Sequence, residues 1–176
     1  MTNRISSVRK LDSIGERELH GLCDVLIDCV EGGASVSFMH PMTRAKAEAF
    51  WSSAGASLTR GERMVLVAED VQGIVGTVQV ILNLPENQPH RGDVAKMLVH
   101  RRARRQGVGA ALLAAAEQSA LAAGRTLLVL DTVTGGDAER LYARQGWQRC
   151  GEIPTYALFP AGGFCSTTVF YKALLP

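Results

Sequence analysis

The sequence has few of the residues that build metal centres or disulfide frameworks. It contains four cysteines, and none of them forms a C-x-x-C pair or stands at metal-ligand spacing from a histidine. They are Cys23, Cys29, Cys150 and Cys165. Free cysteine usually behaves as a small, buried apolar residue. We therefore expect four reduced, mostly buried thiols, and we expect no metal.

Long hydrophobic runs and a strong charge of one sign are also missing. No apolar run approaches the roughly 20 residues of a transmembrane helix, and residues 1–10 lack the apolar segment of a signal peptide. The formal net charge is only +2, which gives no reason to expect nucleic acid or a membrane as a partner. The expectation is a cytoplasmic protein with neither partner.

The composition is that of an ordinary globular chain. Its 176 residues are 47% hydrophobic and 20% charged, without repeats or linkers, so one domain over residues 1–176 is expected. Apolar periodicity predicts strands at 5–11, 63–69, 74–84, 94–99, 126–131, 147–152 and 166–174, and helices at 16–30, 44–53, 110–123 and 137–145. Asp12 or Ser13 is expected to cap the first helix, and Asp137 the last.

The order of these elements favours a mixed α/β fold. The segments 63–69 and 74–84 are joined by a short polar turn and predict an antiparallel hairpin. The strand–helix–strand unit over residues 94–131 predicts a right-handed crossover between parallel strands. Together they predict a mixed sheet with helices on both faces.

The most informative stretch is residues 94–110, where a short apolar strand runs through a basic turn into a long apolar helix. Gly107 and Gly109 leave room for a ligand to approach the backbone of this turn. Free N–H groups and the helix dipole attract anions to a helix N-terminus. Four arginines between residues 101 and 105 add positive charge. The turn therefore predicts a diphosphate site on the amides of residues 105–110.

Two blocks of sequence resemble the GCN5-related N-acetyltransferase (GNAT) family. RRQGVG at residues 104–109 matches the signature R/Q-x-x-G-x-G/A, and AERLYARQGW at residues 138–147 matches A-x-x-x-Y-x-x-x-G-[FW]. The order of segments agrees over the whole chain. The resemblance implies acetyl transfer from acetyl-coenzyme A (acetyl-CoA) to a primary amine. It also implies a mostly antiparallel sheet that splays between two central parallel strands.

By this resemblance, acetyl-CoA binds along the glycine turn and the strand ahead of it. A bulge in that strand separates it from the next one, and the pantetheine arm pairs with the exposed backbone. A main-chain N–H near Leu98 polarises the thioester carbonyl. The implied acetyl-CoA-binding residues are Met97, Leu98, Val99, Arg104, Arg105, Gln106, Gly107, Val108, Gly109 and Ala110.

Tyr142 occupies the position that the family uses for the general acid that protonates the departing thiolate. A phenol with a reference pKa of about 10 stays protonated at neutral pH and can donate its proton. The same tyrosine could instead be an amphipathic anchor that packs a short helix on the sheet. The flanking motif favours the catalytic interpretation.

Asp131 and Asp93 are the candidate carboxylates for the acceptor amine. Asp131 ends one apolar strand and Asp93 opens the neighbouring one, so either could anchor an ammonium or accept its proton. A carboxylate of reference pKa near about 4 is a weak base unless it is desolvated, so anchoring suits it better. Alternatively, Asp131 caps the following loop, and Asp93 pairs with Arg91 or Lys96.

The loop at residues 32–39 is the candidate acceptor site. Its small residues leave space, and Phe38 with Met39 would form an apolar wall, although packing between helices explains the loop almost as well. The segment 153–164 is expected to complete a lid. The candidate acceptor-binding residues are Gly33, Ser35, Phe38, Asp93 and Asp131.

The acceptor class follows from a narrower similarity. Residues 31–36, 38–39, 91–94 and 130–132 are similar to the tabtoxin-resistance acetyltransferases of this family, which modify a small amine-bearing β-lactam. Asp93 departs from that pattern, since glutamate stands there in those enzymes. The similarity favours a primary amine of a small molecule as the acceptor, such as a toxin, an antibiotic or an amino-acid-like compound.

Other functions remain open from the sequence. One is acetylation of a protein or peptide N-terminus, and another is a non-catalytic acyl-CoA sensor. A dinucleotide site is disfavoured, because Leu112 stands in place of the third glycine of that motif. The apolar residues 169–175 would permit a homodimer.

Overall fold

The computed structural model describes residues 7–174, which form seven strands and four α-helices. The strands are β1 (Ser7–Lys10), β2 (Arg63–Asp70), β3 (Gly73–Ile81), β4 (Arg91–Val99), β5 (Leu127–Val133), β6 (Gln148–Leu158) and β7 (Phe164–Ala173). The helices are α1 (Glu16–Glu31), α2 (Arg44–Thr59), α3 (Val108–Ala122) and α4 (Asp137–Arg144), with a short 3₁₀ turn at Arg101–Ala103. Each helix and strand predicted from the periodicity is present.

The seven strands form one sheet in the order β1-β2-β3-β4-β5-β7-β6. β4 and β5 are parallel, and all other neighbours are antiparallel. The parallel pair arises because α3 crosses over between its two strands. The predicted mixed sheet, mostly antiparallel with two central parallel strands, is confirmed.

Helices cover both faces of this sheet, as predicted. α1 and α2 bury Leu22, Leu26 and Trp51 against one face, and α3 and α4 bury Leu112 and Tyr142 against the other. Since both faces are covered, β3 is buried along nearly its whole length. Full burial of a large apolar side chain contributes about 1.5–3 kcal/mol, so the central strands give the neighbouring site a firm support.

Two predicted helix caps are wrong. α1 begins after Gly15, and no side chain caps its N-terminus, so neither Asp12 nor Ser13 has the predicted role. α4 begins after Gly136, with Asp137 as its first residue rather than its cap. The negative charge of Asp137 still lies at the positive end of the helix dipole, which stabilises the first turn.

Several boundaries also differ from the prediction. α2 extends to Thr59 instead of ending at Ser53, and its additional turns bury Ala54 and Ser57. Small residues carry little periodic signal, so tertiary contacts rather than the apolar pattern decide where this helix ends. β4 begins at Arg91 rather than at residue 94. Residues 5 and 6 of the first predicted strand lie outside the described residues.

The two C-terminal strands form a long hairpin. β6 extends to Leu158, so much of the predicted lid at residues 153–164 is strand rather than loop. β7 lies between β5 and β6, and both of its edges are paired. Within the described residues, the free edge at this end of the sheet therefore belongs to β6.

All four cysteines are free thiols. Three of them are buried, which confirms the expectation, and Cys150 on β6 is exposed. Within residues 7–174, no three His, Cys, Asp or Glu side chains are grouped so that they could hold a metal ion. In the same part of the chain, no helix has the length and apolar character needed to cross a membrane.

Candidate active site

A cleft opens in the sheet where the two parallel strands separate. β4 pairs with β5 only from Arg91 to Asp93. Beyond this point β5 continues to Val133, paired with β7 along its other edge. The second half of β4 has no partner on the β5 side, and an unpaired strand edge readily binds an extended chain.

A β-bulge at Lys96 accompanies this separation. Between the pairs Thr77–Leu98 and Gln79–Ala95, three steps along β4 face two steps along β3. Lys96 adopts a left-handed φ of 52°. The extra residue bends β4 and increases its twist, so the end of the strand turns away from β5.

The turn between β4 and α3 presents backbone amides at a helix N-terminus. Gly107 has a φ of 81° and Arg105 a φ of 60°, and glycine adopts this left-handed region without strain. The first hydrogen bond of α3 runs from the Ala111 N–H to the Gly107 carbonyl. The N–H groups of residues 108–110 therefore have no acceptor in the helix and, with the helix dipole, suit an anion.

Gly109 has a different task from Gly107. A Cβ on Gly109 would lie 3.0 Å from Cδ2 of Leu141 on α4, which is too close for an unstrained contact. The second glycine of the motif therefore lets α3 and α4 approach each other. This contact brings Tyr142, the next residue of α4, to the cleft.

Two of the four arginines in the turn are bound to carboxylates outside the cleft. Arg101 pairs with Asp28 on α1, and Arg102 pairs with Asp70 at the end of β2. These ion pairs neutralise both charges locally and fix the turn against its neighbours. The expectation that all four arginines charge one anion site is wrong.

Arg104 and Arg105 do line the cleft. Nε of Arg104 donates to the Val99 carbonyl at 3.0 Å, and its Nη2 lies 3.9 Å from Sγ of Cys29. The Arg105 side chain is 88% exposed, with its Nη2 at 3.9 Å from the Asp137 carboxylate. Arg105 is thus the freer cation, whereas Arg104 is held beside the end of β4.

Gln106 points away from the cleft. Its Nε2 donates to the Arg102 carbonyl at 3.0 Å, and its buried Oε1 accepts from no described residue. Gln106 is the one predicted acetyl-CoA-binding residue that does not line the cleft. The others do so: Met97, Leu98, Val99, Arg104, Arg105, Gly107, Val108, Gly109 and Ala110.

Tyr142 reaches the cleft from α4. The residue is 4% exposed, and its ring lies 5.8 Å from that of Trp147 and 6.1 Å from that of Phe170, measured between centroids. Burial raises its pKa well above the usual value, and the Asp131 carboxylate raises it further. Within residues 7–174 no group hydrogen-bonds to its hydroxyl. Tyr142 therefore anchors α4 and also remains a protonated donor.

Asp131 is exposed on the wall of the cleft that β5 forms. Its carboxylate accepts a hydrogen bond from Oγ1 of Thr167 at 2.7 Å. Within the described residues it has no backbone N–H partner, so it does not cap the following loop. A carboxylate held by one hydrogen bond keeps lone pairs for an ammonium group.

Asp93 is absent from the lining of the cleft. It pairs with Arg91, one of the two partners considered for it, at the last residue where β4 and β5 are still joined. Burial raises the pKa of Asp93, Arg91 opposes this, and the Asp131 charge adds to the rise. The two candidate carboxylates therefore do not lie side by side, and Asp131 is the one that faces the cleft.

The loop at residues 32–39 roofs one end of the cleft and is bound to the β6–β7 hairpin. Oγ of Ser35 donates to the Leu158 carbonyl at 2.7 Å, and the His40 N–H donates to the Pro160 carbonyl at 3.0 Å. Loop and hairpin together occupy the position expected for the lid. One half of this lid is the end of the paired strands β6 and β7, and paired strands are less mobile than a loop.

The acceptor-binding residues predicted from the sequence divide into two groups. Gly33, Ser35, Phe38 and Asp131 line the cleft, and Asp93 does not. Phe38 packs edge-on against Phe50 of α2, with 5.4 Å between ring centroids. The cleft has a volume of about 1170 Å³, above the roughly 300–1,000 Å³ of pockets for a single ligand. This size suits two ligands that meet.

Lys96 and Thr167 are among the residues of the cleft that are not predicted as site residues. Strict alternation along β4 would place Lys96 on the same face as Val94 and Leu98, both of which are buried. A lysine at such a position is a sequence signal for a bulge, and it could have identified Lys96. Thr167 carries no comparable signal, since its contact with Asp131 depends on β7 lying beside β5.

The chain is similar in sequence to known acetyltransferases. A family model described as "Acetyltransferase (GNAT) domain" matches residues 61–149. A relative from Azospirillum brasilense, named as an uncharacterized N-acetyltransferase in the hisH-hisA intergenic region, is 29% identical over 127 residues. The matched region is 71% of this chain and 74% of the relative.

Solved structures share the fold over nearly the whole chain. A ribosomal-protein-alanine N-acetyltransferase from Brucella melitensis has a TM-score of 0.78 at 24% identity, covering 96% of this chain and 99% of its own. A proposed acetyltransferase from Salmonella typhimurium, solved with its cofactor acetyl-CoA, has a TM-score of 0.77 at 15% identity. That match covers 96% of this chain and 94% of the other. At such identities the likeness establishes the fold alone.

Proposed function

Because the chain belongs to the GNAT acetyltransferase domain family and is an N-acetyltransferase, we propose that it moves the acetyl group of acetyl-CoA to a primary amine of a small molecule. The observation that carries this acceptor class is the roof over one end of the cleft. Ser35 and His40 donate to the β6–β7 hairpin, so this end is covered. A peptide would need an open groove there, whereas a compact amine fits beneath a roof.

The proposed acetyl-CoA site uses the turn and the free edge of β4. The amides of residues 108–110 and the guanidinium of Arg105 hold the diphosphate. The backbone of Met97 and Leu98 holds the extended pantetheine arm. This assignment is supported by amides that lack a helical acceptor and by the wide exposure of Arg105. The acetyltransferase domain is proposed to extend over residues 1–176.

The proposed reaction is direct attack in a ternary complex. The acceptor nitrogen attacks the thioester carbonyl carbon, so a C–N bond forms and the C–S bond then breaks. A main-chain N–H near Leu98 stabilises the negative charge on the oxygen. Tyr142 donates its proton to the departing sulfur. The proton lost by the amine passes to Asp131 or to solvent.

Asp131→Asn is expected to raise the KM for the acceptor about ten-fold, because a neutral amide replaces a charge-assisted hydrogen bond to the ammonium group. The KM for acetyl-CoA is expected to stay unchanged. Initial rates measured over a range of pH provide both values. Asp93→Asn is the matched control. We expect it to shift the pH–rate profile less than Asp131→Asn does, since Asp93 acts on the cleft only through its charge. Equal effects of the two substitutions would remove the special role of Asp131.

Arg105→Gln is expected to raise the KM for acetyl-CoA about three-fold, as is usual for one exposed charge. The effect should shrink at high salt, because salt screens an exposed cation. Arg101→Gln is the control: it removes an arginine of the same turn that is paired with Asp28, and it should lower the unfolding free energy without changing this KM. A larger KM change in Arg101→Gln would contradict the assignment.

A thiol-release screen tests the acceptor class. Acetyl-CoA is supplied with amino acids, polyamines, aminoglycosides, β-lactam amino acids and short peptides with free N-termini. We expect a small amine to release free thiol and to gain one acetyl group by mass spectrometry. Turnover of peptides alone would establish the peptide alternative, and tight acetyl-CoA binding without any turnover would establish a sensor.

A narrower proposal concerns the kind of small amine. Residues 31–36 and 91–94 are similar to the tabtoxin-resistance acetyltransferases, which supports a toxin-like β-lactam amine as one acceptor. Asp93 departs from that pattern, and it also lies outside the lining of the cleft. The β-lactam arm of the screen tests this narrower proposal separately from the reaction.

A further inference from the structure

Lys96 is a cation in the cleft that has no carboxylate partner. Its Nζ donates to Oγ of Ser37 at 3.1 Å and lies 5.8 Å from the centroid of the Phe50 ring. Within residues 7–174 no carboxylate lies at ion-pair distance from it. An ammonium group has three N–H donors, so two remain. The other half-buried lysine, Lys172, pairs with Glu117 at 2.7 Å.

Two buried N–H groups near Lys96 have no acceptor among the described residues. Behind the bulge, Arg63 donates to Oε1 of Gln79 at 2.7 Å. Nε of Arg63 and Nε2 of Gln79 are buried, and no described residue accepts from them. Burial lowers the pKa of Lys96, the Asp131 carboxylate opposes this, and the Arg63 charge lowers it further. An anion in the cleft beside Lys96 would give its ammonium group the close partner that no described carboxylate provides.

We propose that Lys96 binds an anionic group of the acceptor, a carboxylate in the simplest case, while Asp131 binds the amine of the same molecule. Lys96 lies on β4 and Asp131 on β5, so the two charges come from opposite walls of the cleft. A compact zwitterion spans them with its amine toward Asp131 and its acid toward the loop at residues 32–39. The acceptor is therefore an amino acid or a close analogue. This inference rests on the proposed small-molecule function and narrows it.

A purely structural role for Lys96 would give a different result. The hydrogen bond to Ser37 joins β4 to the loop that roofs the cleft. If this hydrogen bond were the only role of Lys96, removing its charge would weaken the binding of all acceptors to the same extent. If Lys96 binds an acid group, removing its charge weakens the binding only of acceptors that carry an acid group. The ratio between acidic and neutral acceptors therefore separates the two roles.

The experiment compares amino acids with their carboxamides in the thiol-release assay at saturating acetyl-CoA. Lys96→Met keeps an unbranched side chain that is one atom shorter, and it removes the charge. We expect it to lower kcat/KM for the acids about ten-fold relative to the amides, through KM, as for one charge-assisted hydrogen bond. Lys96→Arg is expected to restore most of the loss. The amino group of a carboxamide is also less basic than that of the free amino acid. For this reason the ratio of kcat/KM for the acid to kcat/KM for the amide is compared between enzyme variants.

The control variant Lys10→Met removes a lysine charge from β1 at the far edge of the sheet. It is expected to leave the acid-to-amide ratio unchanged. An unchanged ratio in Lys96→Met, or an equal change in Lys10→Met, overturns the inference while small amines are still acetylated. Turnover of peptides alone overturns the proposed function and this inference together.

A second test uses only the wild-type enzyme, so it does not depend on whether a variant folds. Carboxylic acids that lack the amine are expected to inhibit competitively against the acceptor, because Lys96 binds their acid group. Their carboxamides are expected not to inhibit. Equal inhibition by the acids and the amides would also overturn the inference.

Discussion

Tyr142→Phe is expected to lower kcat by about ten-fold or more, the lower end of what general acid catalysis supplies. The phenylalanine keeps the ring contacts with Trp147 and Phe170 and loses only the hydroxyl. Within residues 7–174 that hydroxyl has no hydrogen-bond partner, so its removal leaves no buried group unpaired. The proton for the departing sulfur must then come from water. Steady-state kinetics and urea unfolding measure the two effects.

The protonation state of Tyr142 makes this prediction specific. Burial and the Asp131 charge both raise its pKa, so the phenol is a proton donor throughout the neutral range. Tyr171→Phe is the matched control, since Tyr171 on β7 donates to Gln148 and does not line the cleft. It is expected to leave kcat unchanged. A normal kcat in a well-folded Tyr142→Phe variant would leave the tyrosine with its anchoring role alone.

Gly107→Ala is expected to raise the Kd for acetyl-CoA about ten-fold, because the turn must move if it is to relieve the strain of a left-handed alanine. The φ of Gly107 is 81°, and no atom lies within 4 Å of an added Cβ. The cost is therefore conformational, about 1–2 kcal/mol, rather than a clash. Any movement displaces the amides of residues 108–110, which are proposed to hold the diphosphate.

Gly124→Ala is the matched control for that substitution. Gly124 follows α3 at its other end, with a φ of 77° and equally open space around an added Cβ. Both variants should lose a similar unfolding free energy in urea titrations. Calorimetric titration with acetyl-CoA should show weaker binding for Gly107→Ala only. Similar losses of affinity in both variants would mean that the effect reflects stability rather than the anion site.

Local patterns suffice to predict most of the secondary structure. The alternation of β2 and β3, the continuous apolar run of β5 and the glycine turn before α3 are all visible in the printed sequence. The helix ends are less visible. Gly15 and Gly136 precede their helices where polar caps are expected, and α2 continues through small residues to Thr59. Such ends depend on what the chain packs against.

The charged residues of the site show the same division. The cluster of arginines is plain in the sequence, but Arg101 and Arg102 bind Asp28 and Asp70. These partners lie far away in the chain, so no local pattern reveals them. Asp93 appears equivalent in sequence to a cleft carboxylate, yet it pairs with Arg91 outside the cleft. Whether a charged side chain is free or paired depends on the residues that surround it in the folded chain.

The order of residues was enough to establish the element types, the mixed sheet and the acetyltransferase signature around Gly107 and Tyr142. These features rest on periodicity and on backbone geometry, which act over a few residues. The folded arrangement was needed to assign Lys96 and Asp131 to opposite walls of one cleft, and to join the loop at residues 32–39 to the β6–β7 hairpin. Contacts between distant segments depend on topology and burial, and a one-residue bulge at Lys96 redirects a side chain that strict alternation would have buried.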